Sequence, residues 1–166
     1  MSQVRMMLLG SLIAAGLQAT VVAAESQVER GKYLVTIASC GDCHTPGGLL
    51  GKPDASRTLG GSEVGFEMPG AGVFYGPNLT PDRETGLGGW TSAQIVTALM
   101  TGRRPDGRQL APIMPYGAFA HLTKRDAHAI VAYLKSLPPV SNKVPGPFGP
   151  TDKPTAFVMK IVPPEK

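Results

Sequence analysis

Residues 40–44 read Cys40-Gly41-Asp42-Cys43-His44, and this short stretch decides how the rest of the chain is interpreted. Two residues separate the two cysteines, which are the only ones in the 166-residue sequence, and the histidine follows at once. Cys-x-x-Cys-His is the pattern of covalent c-type haem attachment. Two thiols at this spacing can add across the two vinyl groups on one porphyrin edge, and the histidine is carried beneath the ring to ligate iron. We therefore predict one haem c, covalently bound through Cys40 and Cys43, with His44 as an iron ligand.

Three other interpretations of the cysteine pair are weaker. A thioredoxin-like redox pair also uses Cys-x-x-Cys, but it requires a βαβ context that the surrounding sequence lacks. A structural zinc site needs four ligands, and no second Cys or His pair occurs at a suitable spacing. A chance occurrence in a disulfide-bonded exported protein is the third. An export signal, the lack of further cysteines and a flanking helix all favour haem.

The composition indicates a small domain that is rich in loops. The length predicts one domain, or one domain with appendages. The 21 glycines and 16 prolines favour turns and loops, and a large apolar cofactor would give such loops something to pack against. The formal net charge is +4 without a dense Lys/Arg stripe, which argues against nucleic-acid binding and is compatible with an acidic docking partner.

Residues 1–24 have the pattern of a signal peptide. Arg5 supplies a short positive region, an apolar run follows, and Val22-Ala23-Ala24 ends it with the small residues that a signal peptidase recognises. The alternative is an uncleaved membrane anchor, since the run approaches the roughly 20 residues that a membrane span needs. Polar residues dilute the run, so we expect cleavage before Glu25 and a periplasmic protein.

The first helix of the mature chain should follow directly. Apolar residues recur at helical spacing over residues 28–39. Gly31 lies in the middle of this helix, where glycine costs about 1 kcal/mol relative to alanine. Close approach of another helix is the simplest reason for a glycine at this position.

Two further helices carry clear capping signals. Thr91 and Gln94 form a plausible capping box before a helix over 92–101. Thr123 caps the last helix, which has a continuous apolar stripe and ends at Pro138-Pro139.

The remaining segments are expected to be irregular. Residues 45–90 are dominated by Gly and Pro, and Val73-Phe74-Tyr75 is a short strand-like piece from which no sheet is predicted. The stretch 103–120 is predicted as another loop. We expect a haem-binding domain over 25–140, followed by a Pro-rich tail, 141–166, that is extended or draped over the domain.

The other face of the iron needs a second ligand or an open position. Met114 is the best placed candidate, because Pro112 and Pro115 stiffen its loop and a rigid loop presents a thioether sulfur at little entropic cost. Met68 competes, since it lies in a flexible Gly/Pro-containing loop. The other methionines and histidines of the mature chain are Met100, expected in the core, Met159 in the tail, His121 in a loop, and His128 at the surface of the last helix.

Two further stretches, Gly76-Pro77-Asn78-Leu79-Thr80-Pro81-Asp82 and Met114-Pro115-Tyr116, are more selective than the haem motif. Together with matching segments at 29–34, 85–90, 101–107 and 129–134, they span about residues 28 to 140. Through these residues the chain resembles the class I cytochromes c. Within this family it more closely resembles the haem domains of periplasmic cytochrome subunits that serve bacterial alcohol and aldehyde dehydrogenases.

The resemblance implies an all-α class I cytochrome c fold, with few helices and long loops wrapped around one covalently bound haem. The first and last helices would cross at Gly31, with Tyr133 or Leu134 packed over it. It also implies His44 and Met114 as the two axial ligands. Those dehydrogenase subunits commonly carry several haem domains, whereas this chain has a single motif, which favours a free-standing shuttle.

The function that follows is electron transfer rather than catalysis. His/Met ligation raises the reduction potential and leaves no vacancy for substrate. The chain would carry single electrons from a periplasmic dehydrogenase or respiratory donor to an oxidase or another cytochrome. The alternatives are a haem enzyme, peroxidase-like or thiosulfate-oxidising, with a displaceable sixth ligand, and a gas or redox sensor. Arg103, Arg104 and Arg108 are either a docking face for an acidic partner or ordinary solvated charges.

Overall fold

The computed structural model describes residues 25–164, and the predicted signal peptide over 1–24 lies outside them. Five α-helices form the larger part of the regular structure in these residues. In chain order they are α1 (Gln27–Ile37), α2 (Cys40–His44), α3 (Ser92–Thr101), α4 (Tyr116–Phe119) and α5 (Lys124–Ser136). Among the described residues, no helix is long and apolar enough to cross a membrane.

The three longer helices begin at hydroxyl caps. Thr91 and Gln94 form the predicted capping box at α3, and Thr123 accepts the Asp126 amide at α5. Ser26 forms a further capping box at α1, where its hydroxyl accepts from the Glu29 amide and the Glu29 carboxylate accepts from the Ser26 amide. The predicted starts of these three helices are confirmed to within one residue.

Helices α1 and α5 cross at Gly31, as predicted. A Cβ on Gly31 would overlap the Ala129 carbonyl and lie 2.8 Å from Tyr133 Cβ. Beside the crossing, Arg30 Nε donates to Asp126 Oδ1 at 2.9 Å. The buried core assembles around this contact, and its members are Leu34, Val35, Leu59, Ile95, Ala129, Ile130, Val131 and Leu134.

A small sheet corrects the all-α expectation. Strands β1 (Val64–Met68) and β2 (Gly72–Tyr75) form an antiparallel hairpin, and β3 (Phe157–Met159) pairs in parallel with β1, so the order is β2-β1-β3. Val73-Phe74-Tyr75 is therefore part of a sheet after all. The hairpin turn uses Gly70 at φ +75°, while the third strand comes from the far end of the chain, beyond the reach of any local pattern.

The Pro-rich tail is draped over the domain and takes part in this sheet. Phe148 forms an antiparallel bridge with Val73 at the outer edge of β2. The chain then returns as β3 on the opposite side of the hairpin, where Lys160 Nζ pairs with Glu67 at 2.6 Å. The tail thus contacts both sides of the hairpin, and its start is held against the loop that follows β2.

Candidate cofactor site

Helix α2 brings the three residues of the motif onto one turn. Ser39 adopts a left-handed conformation with φ +53°, which separates α2 from α1 and starts the new turn. Cys40 and Cys43 are three residues apart and therefore lie on the same face of this helix. Both thiols are free and half-buried, and Cys40 packs against the hydrophobic core.

The His44 imidazole is buried and held by one backbone carbonyl. Its exposed fraction is 6%, and Nδ1 donates a hydrogen bond to the Pro77 carbonyl at 2.8 Å. Because a carbonyl can only accept, this bond assigns the proton to Nδ1 and leaves the Nε2 lone pair available to a metal. Burial lowers the pKa of His44, with the Pro77 bond acting in the opposite direction, so the neutral, ligand-competent ring is favoured.

Gly76 allows the Pro77 carbonyl to come this close. A Cβ at Gly76 would overlap the Cys43 carbonyl oxygen and lie 3.4 Å from His44 Nδ1. Two backbone hydrogen bonds connect the surrounding segments. The Gly61 amide donates to the His44 carbonyl at 2.8 Å, and the Ser62 amide donates to the Gly76 carbonyl at 2.9 Å. The loop after β2 is thus pressed against the motif over several residues.

The chemistry of the thiols argues against a redox-active pair. Burial raises the pKa of both Cys40 and Cys43, and the nearby Asp42 carboxylate adds to both shifts. A reactive dithiol needs the reverse, a pKa lowered by positive surroundings. Within residues 25–164 no group of three or more Cys, His, Asp or Glu residues could hold a metal ion, as a zinc site would require. Two half-buried thiols beside an oriented imidazole fit the donor set of a c-type haem.

Met114 lies in a braced turn before α4. Its amide donates to the Ala111 carbonyl at 2.9 Å, and its carbonyl accepts from the Tyr116 amide at 2.8 Å. The preceding segment is tied to the end of α3, where the Leu110 amide donates to the Gly102 carbonyl at 2.7 Å. The Met114 side chain is half-buried. Its role as a ligand stays a prediction.

The other candidate ligands occupy varied positions. Met68 is the last residue of β1, so the expectation that it lies in a flexible loop is wrong. Met100 lies on α3 as expected, but it is half-buried and is not a member of the buried core, so its expected core position is wrong. His121, His128 and Met159 are exposed, with Met159 on β3.

The three arginines before Met114 differ in their surroundings. The Arg104 guanidinium stacks over the Trp90 ring at 5.0 Å and its Nε lies 3.3 Å from Asp106 Oδ2. Arg108 shares the same carboxylate at 3.9 Å, and Arg103 is exposed. Two of the three positive charges are therefore partly compensated, which weakens the expected docking face.

Sequence reasoning missed the residues that support His44. The Pro77 carbonyl, the Gly76 backbone and the Asn78 side chain all lie in the stretch 76–82, which the sequence marked as selective without giving it a role. A Gly-Pro pair after a strand is the signal that could have found it, since such a pair allows close approach and removes a backbone donor.

Comparison with known proteins gives a consistent result. The family model described as Cytochrome c matches residues 28–138. A nicotinate dehydrogenase subunit from Pseudomonas putida KT2440 is 38% identical over 120 residues, covering 72% of this chain and 9% of that protein. The fructose dehydrogenase cytochrome subunit of Gluconobacter japonicus is 35% identical, covering 73% of this chain and 24% of that subunit. The cytochrome c subunit of a quinone-type alcohol dehydrogenase from Gluconobacter oxydans 621H is 37% identical, with the same two coverages of 73% and 24%. The chain thus spans at most about a quarter of the length of these relatives.

Proposed function

The chain belongs to the cytochrome c family, and we propose that it holds one haem c and passes single electrons between redox proteins. The observation that carries this proposal is the arrangement at α2. Two free, half-buried thiols and a buried imidazole share one helical turn, and the imidazole is oriented by Pro77. A bound haem c supplies a one-electron iron couple, and the chain supplies everything that holds and tunes it.

Each residue of the motif has a separate task. Cys40 and Cys43 would hold the haem through thioether bonds, and His44 would offer Nε2 to its iron. The bond from Nδ1 to the Pro77 carbonyl keeps the ring in one tautomer and raises its basicity as a ligand. Burial of the imidazole keeps water away from this bond and favours the neutral ring.

We propose that Met114 would supply the second protein ligand to the haem iron. Its turn is closed by two of its own backbone hydrogen bonds and is tied to the end of α3, so the backbone that would present the thioether is ordered. The exposure of His121 and His128 makes them poorer candidates. A filled sixth position is the reason to prefer an electron carrier over a haem enzyme that binds peroxide or thiosulfate.

The proposed donor is a dehydrogenase. The cytochrome subunits of fructose and alcohol dehydrogenases are among the relatives, and the match covers most of the present chain. An oxidase or another cytochrome would be the acceptor, and the export pattern of residues 1–24 suggests a periplasmic setting.

The experiment that tests this proposal is the replacement Met114→Ala in the haem-bound protein. The wild type should show the Met-to-iron charge-transfer band in its ferric absorption spectrum. The variant should lose the band, and its potential should fall because the thioether ligand raises it. Met159→Ala is the matched control, since Met159 is 46% exposed on β3 and should leave both readouts unchanged.

Two results would contradict the proposal. If Met114→Ala retains the band, the ligand assignment is wrong, and loss of the band in Met68→Ala would reassign it. If the wild type shows no such band and binds peroxide at its iron, the haem enzyme is the better description.

A further inference from the structure

Asn78 is a buried polar side chain whose hydrogen-bonding capacity is fully used. It is 1% exposed and follows directly after Pro77. Its Nδ2 donates to Val140 O at 2.6 Å and to Thr85 Oγ1 at 3.0 Å. Its Oδ1 accepts from the Thr80 amide at 2.9 Å and from the Thr80 hydroxyl at 2.8 Å. An amide side chain can donate two and accept two hydrogen bonds, so every position is occupied.

One of these four bonds reaches residues 140–142, where the domain ends and the C-terminal tail begins, and we call these three residues the strap. The strap makes two more hydrogen bonds besides the one from Asn78. The Val140 amide donates to Thr80 Oγ1 at 3.0 Å, and the Asn142 amide donates to Thr85 Oγ1 at 3.0 Å. Thr80 is itself 0% exposed. Three main-chain groups of the strap are thus bound by side chains from one loop.

Asn78 therefore links the strap to the peptide group that carries the Pro77 carbonyl. The Pro77 carbonyl and the Asn78 nitrogen belong to the same planar group. The Asn78 side chain is held by its hydrogen bonds, and the following Leu79 amide donates to Leu59 O at 2.8 Å, so the carbonyl cannot turn without moving Asn78. Proline has no N–H with which to anchor itself. On the C-terminal side of the proline, the Asn78 side chain is a buried anchor next to the carbonyl that accepts from His44 Nδ1 at 2.8 Å.

We propose that Asn78, anchored to the Val140 carbonyl, is a positioning residue that holds the Pro77 carbonyl against the His44 imidazole and so helps to set the reduction potential. The inference rests on the proposed function, because it requires His44 to ligate iron. A strong Nδ1–H···O bond raises the basicity of the ring as a ligand, which favours ferric iron. Weakening the anchor lets the Pro77 carbonyl turn away, and the potential should rise.

The test compares Asn78→Ala with Asn142→Ala in the haem-bound full-length chain. Asn142→Ala removes a strap bond of similar length, from Nδ2 to Gly60 O at 2.7 Å, but leaves the contacts between Asn78, Thr80 and the strap intact. The two readouts are the midpoint potential and the hydrogen-exchange rate of the His44 Nδ1–H, followed by 15N NMR of the reduced protein. Global stability is measured in parallel by urea unfolding.

Asn78→Ala should raise the potential and speed exchange of the Nδ1–H on the order of tenfold. Asn142→Ala should lower stability while leaving both readouts at wild-type values. If Asn78→Ala lowers stability but leaves the potential and the exchange rate unchanged, the side chain is merely structural and the inference is overturned. An equal effect of Asn142→Ala on both readouts would also overturn it.

A second variant covers the case in which Asn78→Ala does not fold. Asn78→Ser keeps a short acceptor for the Thr80 amide but cannot reach Val140 O, so it should shift both readouts in the same direction by a smaller amount. An unshifted Asn78→Ser overturns the inference. Failure of the proposed function is separately visible, because His44 ring protons in the wild type would then show no haem-induced shift.

Discussion

The crossing of α1 and α5 at Gly31 gives the sharpest stability prediction. Gly31→Ala adds one methyl group at a position where it would overlap the Ala129 carbonyl and lie 2.8 Å from Tyr133 Cβ. Neither atom belongs to a group that can rotate away. The two helices must therefore move apart at the place where the core is assembled around them.

The expected magnitude follows from two opposing terms. Alanine gains about 1 kcal/mol over glycine in a helix interior. Overpacking in a close-packed core costs about 1–3 kcal/mol, and we take the upper end because rigid backbone is involved. The net destabilisation is about 2 kcal/mol. In a domain of this size, that should lower the Tm by about 6–10 °C.

Urea unfolding of the haem-bound protein, followed by circular dichroism, measures this loss. The unfolding midpoint of Gly31→Ala should fall by about 1 M. Gly117→Ala is the matched control, since Gly117 lies in α4 and no atom lies within 4 Å of an added Cβ. That substitution should leave stability unchanged or raise it by up to about 1 kcal/mol. If Gly31→Ala is as stable as the wild type, close packing is not the reason for glycine at this crossing.

Two further predictions concern the loops around the site. Gly76→Ala should sharply reduce the yield of haem-bound protein, because the methyl group would overlap the Cys43 carbonyl and push Pro77 away from His44. Haem absorbance per mole of chain measures this yield, and Gly89→Ala is the control because no atom lies within 4 Å of an added Cβ there. A full haem complement in Gly76→Ala would contradict the reasoning. Asp54→Asn should be less stable than the wild type at neutral pH, and the difference should shrink as the pH falls from about 4 to about 2. Hydrogen bonds from the Ser56 hydroxyl and then from Arg57 hold the pKa of Asp54 at about 2 in the folded protein, below the roughly 3.9 of a free aspartate. The stabilisation by the Asp54 carboxylate is therefore complete above a pH of about 4, and it is lost as the pH falls through the folded-state pKa of about 2. Tm values across this range test it, and a pH-independent difference would refute it.

The helical part of the fold was accessible from the sequence because its signals are local. The Thr91–Gln94 capping box, the Thr123 cap and the prolines after α5 act within one or two turns of the helices they bound. The helix crossing at Gly31 could be predicted because a glycine inside an amphipathic helix is unfavourable, and close approach of another helix is the simplest reason for its presence. The third strand of the sheet could not be predicted in this way, since β3 pairs with a strand more than eighty residues away.

By itself the sequence determined the attachment chemistry. Cys40, Cys43 and His44 share one short helix, so their spacing needs no tertiary information to indicate haem c. Tertiary structure alone decided what supports that chemistry. The Pro77 carbonyl meets His44 across 33 residues of sequence, and Asn78 meets the strap across 62. Contacts between residues so far apart in sequence leave no periodic pattern in the sequence. They depend on how the folded chain brings distant loops together, and not on the neighbouring residues.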